Sequence, residues 1–276
     1  MKSVICAEDA AGFPALFDLR ETSRAAERIG ADVLVSDLTD TRLIVHPDAD
    51  PVFVEQYRRL GAALHQAQLH SGIRSVMVAS AVAAEGKTLS ATNLALMLGR
   101  TFKKRVLLVD GDLRKPSIHA LLQLPNTVGL SDVLKRPGER VPAQTLSPTL
   151  SVLTSGQPDV DPVALLVSDG ARQFLAEARD HFDWVVVDTP PAMLFPDAGL
   201  FAGRLDTCVM VVRASTTASP LAAKAVAAIG ASRIVGVVLN RAQPSDIAAG
   251  YGYGQYGYGN NARVGRRFAW RRSGTK

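Results

Sequence analysis

The chain has 276 residues, 47% hydrophobic and 21% charged, with two cysteines, so it can bury a sizeable core but offers no disulfide framework. No apolar run reaches the ~18 residues of a membrane span, and MKSVICAEDAAGF makes a poor signal peptide, so a reducing cytosol is the simplest context. The net charge of +5 is local, because Arg263, Arg266, Arg267, Arg271, Arg272 and Lys276 crowd the C-terminus without an acid among them, which reads as a solvated run and predicts no specific nucleic-acid partner.

Residues 1–50 form an N-terminal extension whose role the residues do not define. It holds a helical stretch near Leu19–Arg28, the apolar run ADVLVSDL, and IVHPDADP, which reads as a linker. From Asp50 a helix is expected, with Val54, Tyr57, Leu60 and Leu64 at helical spacing. Six short runs then alternate with amphipathic stretches: SVMVAS (75–80), RVLLVD (105–110), LSVLTS (150–155), WVVVD (184–188), TCVMVV (207–212) and RIVGVVLN (233–240). Continuous rather than alternating hydrophobicity marks strands covered on both faces. Asp161-Pro162 and Ser219-Pro220 open helices, and Gly230 closes the second. Strand–helix alternation makes the expected fold α/β, a mostly parallel sheet with helices on both faces, and AVAAEGKT (81–88) after the first strand makes it P-loop NTPase-like. It occupies 51–243, and 244–276 form a flexible tail of clustered tyrosines and basic residues.

After the first strand comes AVAAEGKT (81–88), then LSATNLALMLGR, a good helix. This is a relaxed P-loop, with Ala81 where a glycine often stands. A strand–turn–helix of this kind presents backbone N–H groups and a positive helix end to the β- and γ-phosphates of a nucleotide. Lys87 adds a charge there, and Thr88 offers a hydroxyl to Mg²⁺. Asp188 ends its strand where a Walker B carboxylate would hold the metal through water. Asp110 and Asp112 end another, placed to reach the magnesium or take a proton from an attacking hydroxyl. Three acids at the C-terminal strand ends beside a P-loop mark the ligand edge of an open α/β sheet. Four of the five tyrosines, Tyr251, Tyr253, Tyr256 and Tyr258, sit on the glycine-rich ribbon AAGYGYGQYGYGNN. Read alone, that ribbon is a low-complexity tail. His46, His65, His70, His119 and His181 show no ligand spacing and read as surface or packing residues.

AVAAEGKT with TNLA, VLLVDGDLRKP and FDWVVVDTPP together resemble the bacterial tyrosine kinases (BY-kinases), P-loop enzymes of capsule and exopolysaccharide production. VGLSDVL (128–134), LTSGQPDVDPVALLVSDGARQFL (153–175) and VVLNRA (237–242) extend the resemblance over about four-fifths of the chain. It implies an ATP- and Mg²⁺-dependent protein-tyrosine autokinase regulating exopolysaccharide polymerisation and export. Ala83, Ala84, Glu85, Gly86, Lys87, Thr88 and Leu89 would cradle the nucleotide. Thr88, Asp112 and Asp188 would serve the metal, and one of Asp110 and Asp112 would activate the incoming phenol. Tyr251, Tyr253, Tyr256 and Tyr258 would be acceptors, phosphorylated between subunits of a homo-oligomeric ring held partly by Glu55 and Arg58. The family's many two-span members imply that this chain is a split, cytoplasmic form. Its activator would be a membrane chain-length-determinant or polysaccharide co-polymerase protein, recruiting it to the inner face of the membrane, and a tyrosine phosphatase would reverse its action.

Three departures accompany the resemblance. The family's Pro-Gly in the loop is Ala83-Ala84 here; a positive φ at Ala84 would cost ~1 kcal/mol and weaken ATP binding. Its Glu–x–x–Arg–x–x–Arg motif ends in Gly61 instead of arginine, which predicts a weaker or differently held ring. Both spans and the external domain of many relatives are lacking. Two other readings fit parts of the pattern. MinD/ParA-type ATPases share the strand-end acids but place a second lysine where this chain has Val82. A non-catalytic, nucleotide-gated scaffold would follow if Ala84 abolished transfer.

Overall fold

A computed structural model describes residues 40–139 and 143–242; the expected helix near 19–28, the ADVLVSDL run and the tail lie outside the described residues. Helix α1 (Pro51–Ser71) opens where Asp50 accepts a hydrogen bond from the Val52 N–H, and ends at Gly72 in the left-handed region. It is followed by β1 (Ser75–Ser80), α2 (Lys87–Arg100), β2 (Val106–Asp110), α3 (Ile118–Leu121) and α4 (Leu130–Lys135). Next come β3 (Gln144–Ser147), β4 (Leu150–Leu153), α5 (Pro162–Val167), α6 (Asp169–His181) and β5 (Trp184–Asp188). The rest is α7 (Asp197–Ala202), β6 (Thr207–Arg213), α8 (Ser219–Ile229), a single 3₁₀ turn and β7 (Ile234–Asn240).

The strands form one sheet in the order β3-β4-β2-β5-β1-β6-β7, parallel throughout except for β3 against β4. All six expected strands are present, but β7 is not covered on both faces as its continuous apolar run predicts: it is an edge strand whose Val235, Val237 and Leu239 are exposed. The seventh, β3, is an antiparallel edge that the sequence does not announce, because QTLS is polar and half-exposed and lacks the continuous apolar run of its neighbours. The stretch opened by Asp161-Pro162 is two helices. The Ser168 hydroxyl breaks it by accepting from the Ala171 N–H to cap α6.

Helices α1–α3 cover one face of the sheet, burying Tyr57, Leu64, Leu94, Met97 and Trp184; α4–α8 cover the other around Leu130, Phe174, Phe201 and Ile229. The segment read as a linker is part of this packing. It runs as successive turns, with its first residue, Ile44, buried and Leu43 just before it fully buried. Asn93 of α2 pins it: its Oδ1 accepts from the Ile44 N–H at 2.9 Å and its Nδ2 donates to the Arg42 carbonyl at 3.0 Å. Two apolar residues between turn formers have no periodicity, so nothing in the sequence reveals their burial.

Leu43→Ala should lower unfolding free energy by about 2–5 kcal/mol in urea titration, the range for deleting a buried leucine. An unchanged midpoint would mean that the segment lies on the surface without contributing to the core.

Candidate functional site

The topology brings the C-terminal ends of β1, β2 and β5 side by side, with Asp110 paired in register to Asp188. Between β1 and α2 the loop from Ala81 to Gly86 doubles back. Ala84 sits at φ +63° and Gly86 at φ +97°, so the left-handed geometry anticipated for Ala84 is present, with a Cβ where glycine fits best. No side chain caps α2. The first amides of a helix have no partners within it, so they stay available to an anion. Lys87 begins the helix and is buried, while Thr88 and Leu89 are half-buried behind it.

Lys87 Nζ lies 3.3 Å from Asp112 Oδ2 and 3.6 Å from Asp188 Oδ1. Thr88 Oγ1 donates to Asp188 Oδ2 at 2.6 Å and lies 3.0 Å from Ser117 Oγ. Asp110 Oδ2 accepts from the Ser117 and Ile118 N–H groups, each at 2.9 Å, and Asp112 Oδ1 accepts from the Lys115 N–H at 3.0 Å. All the expected chemical residues of the strand edge are therefore gathered within one cluster. Its electrostatics follow from crowding. Burial and the neighbouring Asp188 push the Asp110 carboxyl up to about 7, against the pull of the Ile118 and Ser117 amides. Burial also raises Asp188, against the Lys87 charge and the Thr88 hydroxyl. For Lys87 burial disfavours the charge, but Asp188 and Asp112 outweigh it and hold the ammonium above its ordinary value.

Two supports have no signature in the sequence. Glu85 is buried and turns its carboxylate away from the nucleotide edge, accepting from the Val82 N–H at 2.8 Å, the Arg213 N–H at 3.2 Å and the Thr217 hydroxyl. Its own carbonyl accepts from Asn240 Nδ2 at 2.7 Å, and a Cβ on Gly86 would collide with that nitrogen. The loop is thus held by the tips of β6 and β7. Arg114 donates from Nε and Nη2 to the two oxygens of Asp197 at 2.9 and 3.0 Å, tying the loop after β2 to the loop after β5. Apart from Val82 with Glu85, each contact links residues remote in sequence, so no local motif announces it.

Glu55 and Arg58, expected at a subunit interface, pair with each other on the exposed side of α1. Gly61 faces inward, and a Cβ there would stand 2.7 Å from the Phe102 ring, so packing alone accounts for the missing arginine. The four tail tyrosines lie outside the described residues.

No family model matches the chain. Tyrosine-protein kinase YwqD of Bacillus subtilis is 36% identical over 211 residues, covering 75% of this chain and 87% of its own. The chain belongs to the bacterial tyrosine-protein kinases. The kinase domain of the Escherichia coli tyrosine kinase ETK superposes on this kinase with a TM-score of 0.63 at 30% identity, over 69% of this chain and 77% of its own. The Pyrococcus furiosus cell division ATPase MinD also superposes, at a TM-score of 0.53 and 24% identity over 64% and 78% of the two chains, and that likeness shows the shared P-loop ATPase-like fold alone.

The cluster fits a hard divalent cation. Among the described residues Asp188 Oδ1 is buried without a hydrogen-bond partner, its charge compensated by Lys87 at 3.6 Å. Magnesium takes one or two carboxylates and completes its shell with water and phosphate oxygens, a demand that Asp188 and Asp112 can meet.

Because Asp110 binds its proton more tightly folded than unfolded, the folded kinase holds more protons between pH 3.8 and about 7. Stability of the metal-free kinase should therefore fall as pH rises through that window, by on the order of a few kcal/mol, and Asp110→Asn should flatten the slope. Melting temperatures across pH 4–8 in chelator check this; a slope unchanged by the substitution would assign it elsewhere. Ala84→Gly should relieve about 1 kcal/mol of backbone strain and tighten ADP binding by calorimetry; unchanged affinity would show that the Cβ does not crowd the phosphates.

Proposed function

We propose that this kinase transfers the γ-phosphoryl group of ATP to Tyr251, Tyr253, Tyr256 and Tyr258 of a neighbouring copy, and thereby regulates exopolysaccharide or capsule assembly. The observation carrying the reading is the convergence of Lys87, Thr88, Asp110, Asp112 and Asp188 beneath the open N-terminus of α2.

The nucleotide phosphates lie on the amides of Ala83–Leu89, with Lys87 swinging from its carboxylate partners onto the β- and γ-oxygens. Thr88, Asp112 and Asp188 would hold magnesium, which would offset charge on the transferring phosphoryl group. Asp110 is buried beside Asp112 and accepts a hydrogen bond from its N–H, so the two carboxyls act as a pair. The phenol oxygen forms the new O–P bond, the β–γ bridging P–O bond breaks, ADP leaves, and the phenol proton passes to the Asp110/Asp112 pair. Little covalent chemistry falls to the protein, so rate depends on position and charge.

The remaining parts rest on family resemblance. They are a ring of copies in which Glu55 and Arg58 contribute contacts, an activating membrane co-polymerase that recruits the kinase to the inner membrane face, and an opposing tyrosine phosphatase. Among the described residues no helix is long and apolar enough to cross a membrane.

Phosphosite mass spectrometry after incubation with Mg-ATP tests the reading, with and without the partner's cytoplasmic tail. Phosphate should appear on the four tail tyrosines, and Lys87→Met should reduce it at least about 100-fold, as expected for removing a principal phosphate charge from a phosphoryl-transfer site. An undiminished signal in that variant would overturn the assignment, and a blank wild type that still binds ATP would favour the scaffold.

A further inference from the structure

The loops that follow β2 and β4 enclose a second site, an open cleft of about 480 Å³ lined among others by Lys115, Pro116, His119, Thr127 and Pro158. That volume is within the ~300–1,000 Å³ usual for small-ligand sites. The lining of the cleft begins at Arg114, two residues beyond Asp112, and is joined to that acid, since the Lys115 N–H donates to Asp112 Oδ1 at 3.0 Å. Its walls are braced. Asn126 exchanges hydrogen bonds with the backbone of Gly156 at 2.7 and 2.9 Å, and Gln157 Nε2 donates to the Asn126 carbonyl at 3.0 Å. These amides are thus committed to holding the cleft open in one shape.

The groups left for a ligand are cationic or donor-capable. Lys115 is exposed, and Arg114 reaches Asp197 through Nε and Nη2, leaving Nη1 outside that pair. His119 Nδ1 is buried and finds no hydrogen-bond partner among the described residues. The carboxylates nearby are engaged. Asp112 faces Lys87, Asp197 faces Arg114, Asp159 faces Lys135, and Asp161 caps α5 by accepting from the Ala164 N–H. Two proline rings offer a flat apolar surface beside these charges. Such a lining suits an aromatic ring bearing a dianion.

The tail offers that chemistry once it has been modified. Its tyrosines are spaced two, three and two residues apart. In an extended chain such steps span roughly 7–10 Å, at ~3.3–3.6 Å per residue, so a phenyl phosphate in the cleft leaves a neighbouring phenol close to the strand-edge acids. We infer that the cleft is a phosphotyrosine subsite: a tail from another copy that already carries one phosphate lodges it beside Lys115, and an adjacent tyrosine is presented to Asp110 and Asp112. This rests on the autokinase reading and adds to it an order of events, in which the first transfer is slow and later ones follow on the same tail. The transfer itself is unchanged, with ATP supplying the phosphoryl group and ADP leaving.

The test uses the full chain with its four tail tyrosines replaced by phenylalanine, and two fluorescein-labelled peptides, GYGYGQYGYG and the same peptide phosphorylated at the position of Tyr258. Initial rates with Mg-ATP and anisotropy with Mg-ADP are measured for both. The phosphorylated peptide should show a KM and a Kd about fivefold lower, the scale of one or two charge-assisted contacts at a part-exposed site. Lys115→Glu and, independently, Thr127→Trp, which fills the cleft, should bring both ratios to one. Equal constants for the two peptides, or a preference surviving both substitutions, would overturn the subsite. Failure of the kinase reading looks different: neither peptide accepts phosphate. Anisotropy then still decides, because Lys115-dependent binding of the phosphorylated peptide upholds the cleft and its absence removes it.

Discussion

The site is organised by too many negative charges for one positive one. The parallel register of β2 and β5 fixes Asp110 opposite Asp188, and neighbouring strands stand only about 4.8 Å apart. With Asp112 added, three carboxylates share a water-poor corner in which Lys87 is the sole cation in direct contact among the described residues. The two buried acids respond by rising above their ordinary range. An arriving triphosphate must claim the same ammonium, and the acids it abandons then need another cation. Nucleotide and metal should consequently bind as a coupled pair, each making good the charge that the other disturbs.

Departures from the family pattern have local explanations. Ala84 occupies a left-handed turn that glycine would adopt without strain. The loop keeps its shape because Glu85 next to it is held by three donors. Gly61 is not a lost charge on an open surface. It is a small residue packed against the Phe102 ring, which would have to shift to admit a Cβ. The exposed part of the pattern, Glu55 with Arg58, is retained on the adjoining turn.

Whatever has a short period or a short motif is legible in the sequence. The six strands are continuous apolar runs, and the P-loop and strand-end acids are contiguous, so both can be read from the residues alone, although the run of β7 does not show that one of its faces is left exposed. The antiparallel edge β3 cannot, since QTLS carries neither the apolar run of a buried strand nor a turn signature. Leu43 and Ile44 form a pair too short to show a period, although Asn93 fastens them to the core. Glu85 reads as part of the nucleotide loop, yet its side chain fastens that loop to the end of β6 and the turn beyond it, while its carbonyl is held by Asn240 of β7. Asn240 and Thr217 carry no local signal because their partners lie 155 and 132 positions away. Arg114 and Asp197 are likewise 83 positions apart. Physical proximity of that kind is a property of topology, and a single sequence does not display topology.

The grip of Asn240 on the Glu85 carbonyl also bears on how the enzyme is made. The phosphate loop is among the first strand-end structures to leave the ribosome, whereas its clamp comes from the last strand of the sheet. Contacts between such distant residues form slowly, because a long loop of chain must close first. A nascent chain lacking β7 holds Lys87 and the acids but not the clamp on the backbone that presents them. The phosphate loop is therefore fastened only when synthesis reaches the strand that carries Asn240.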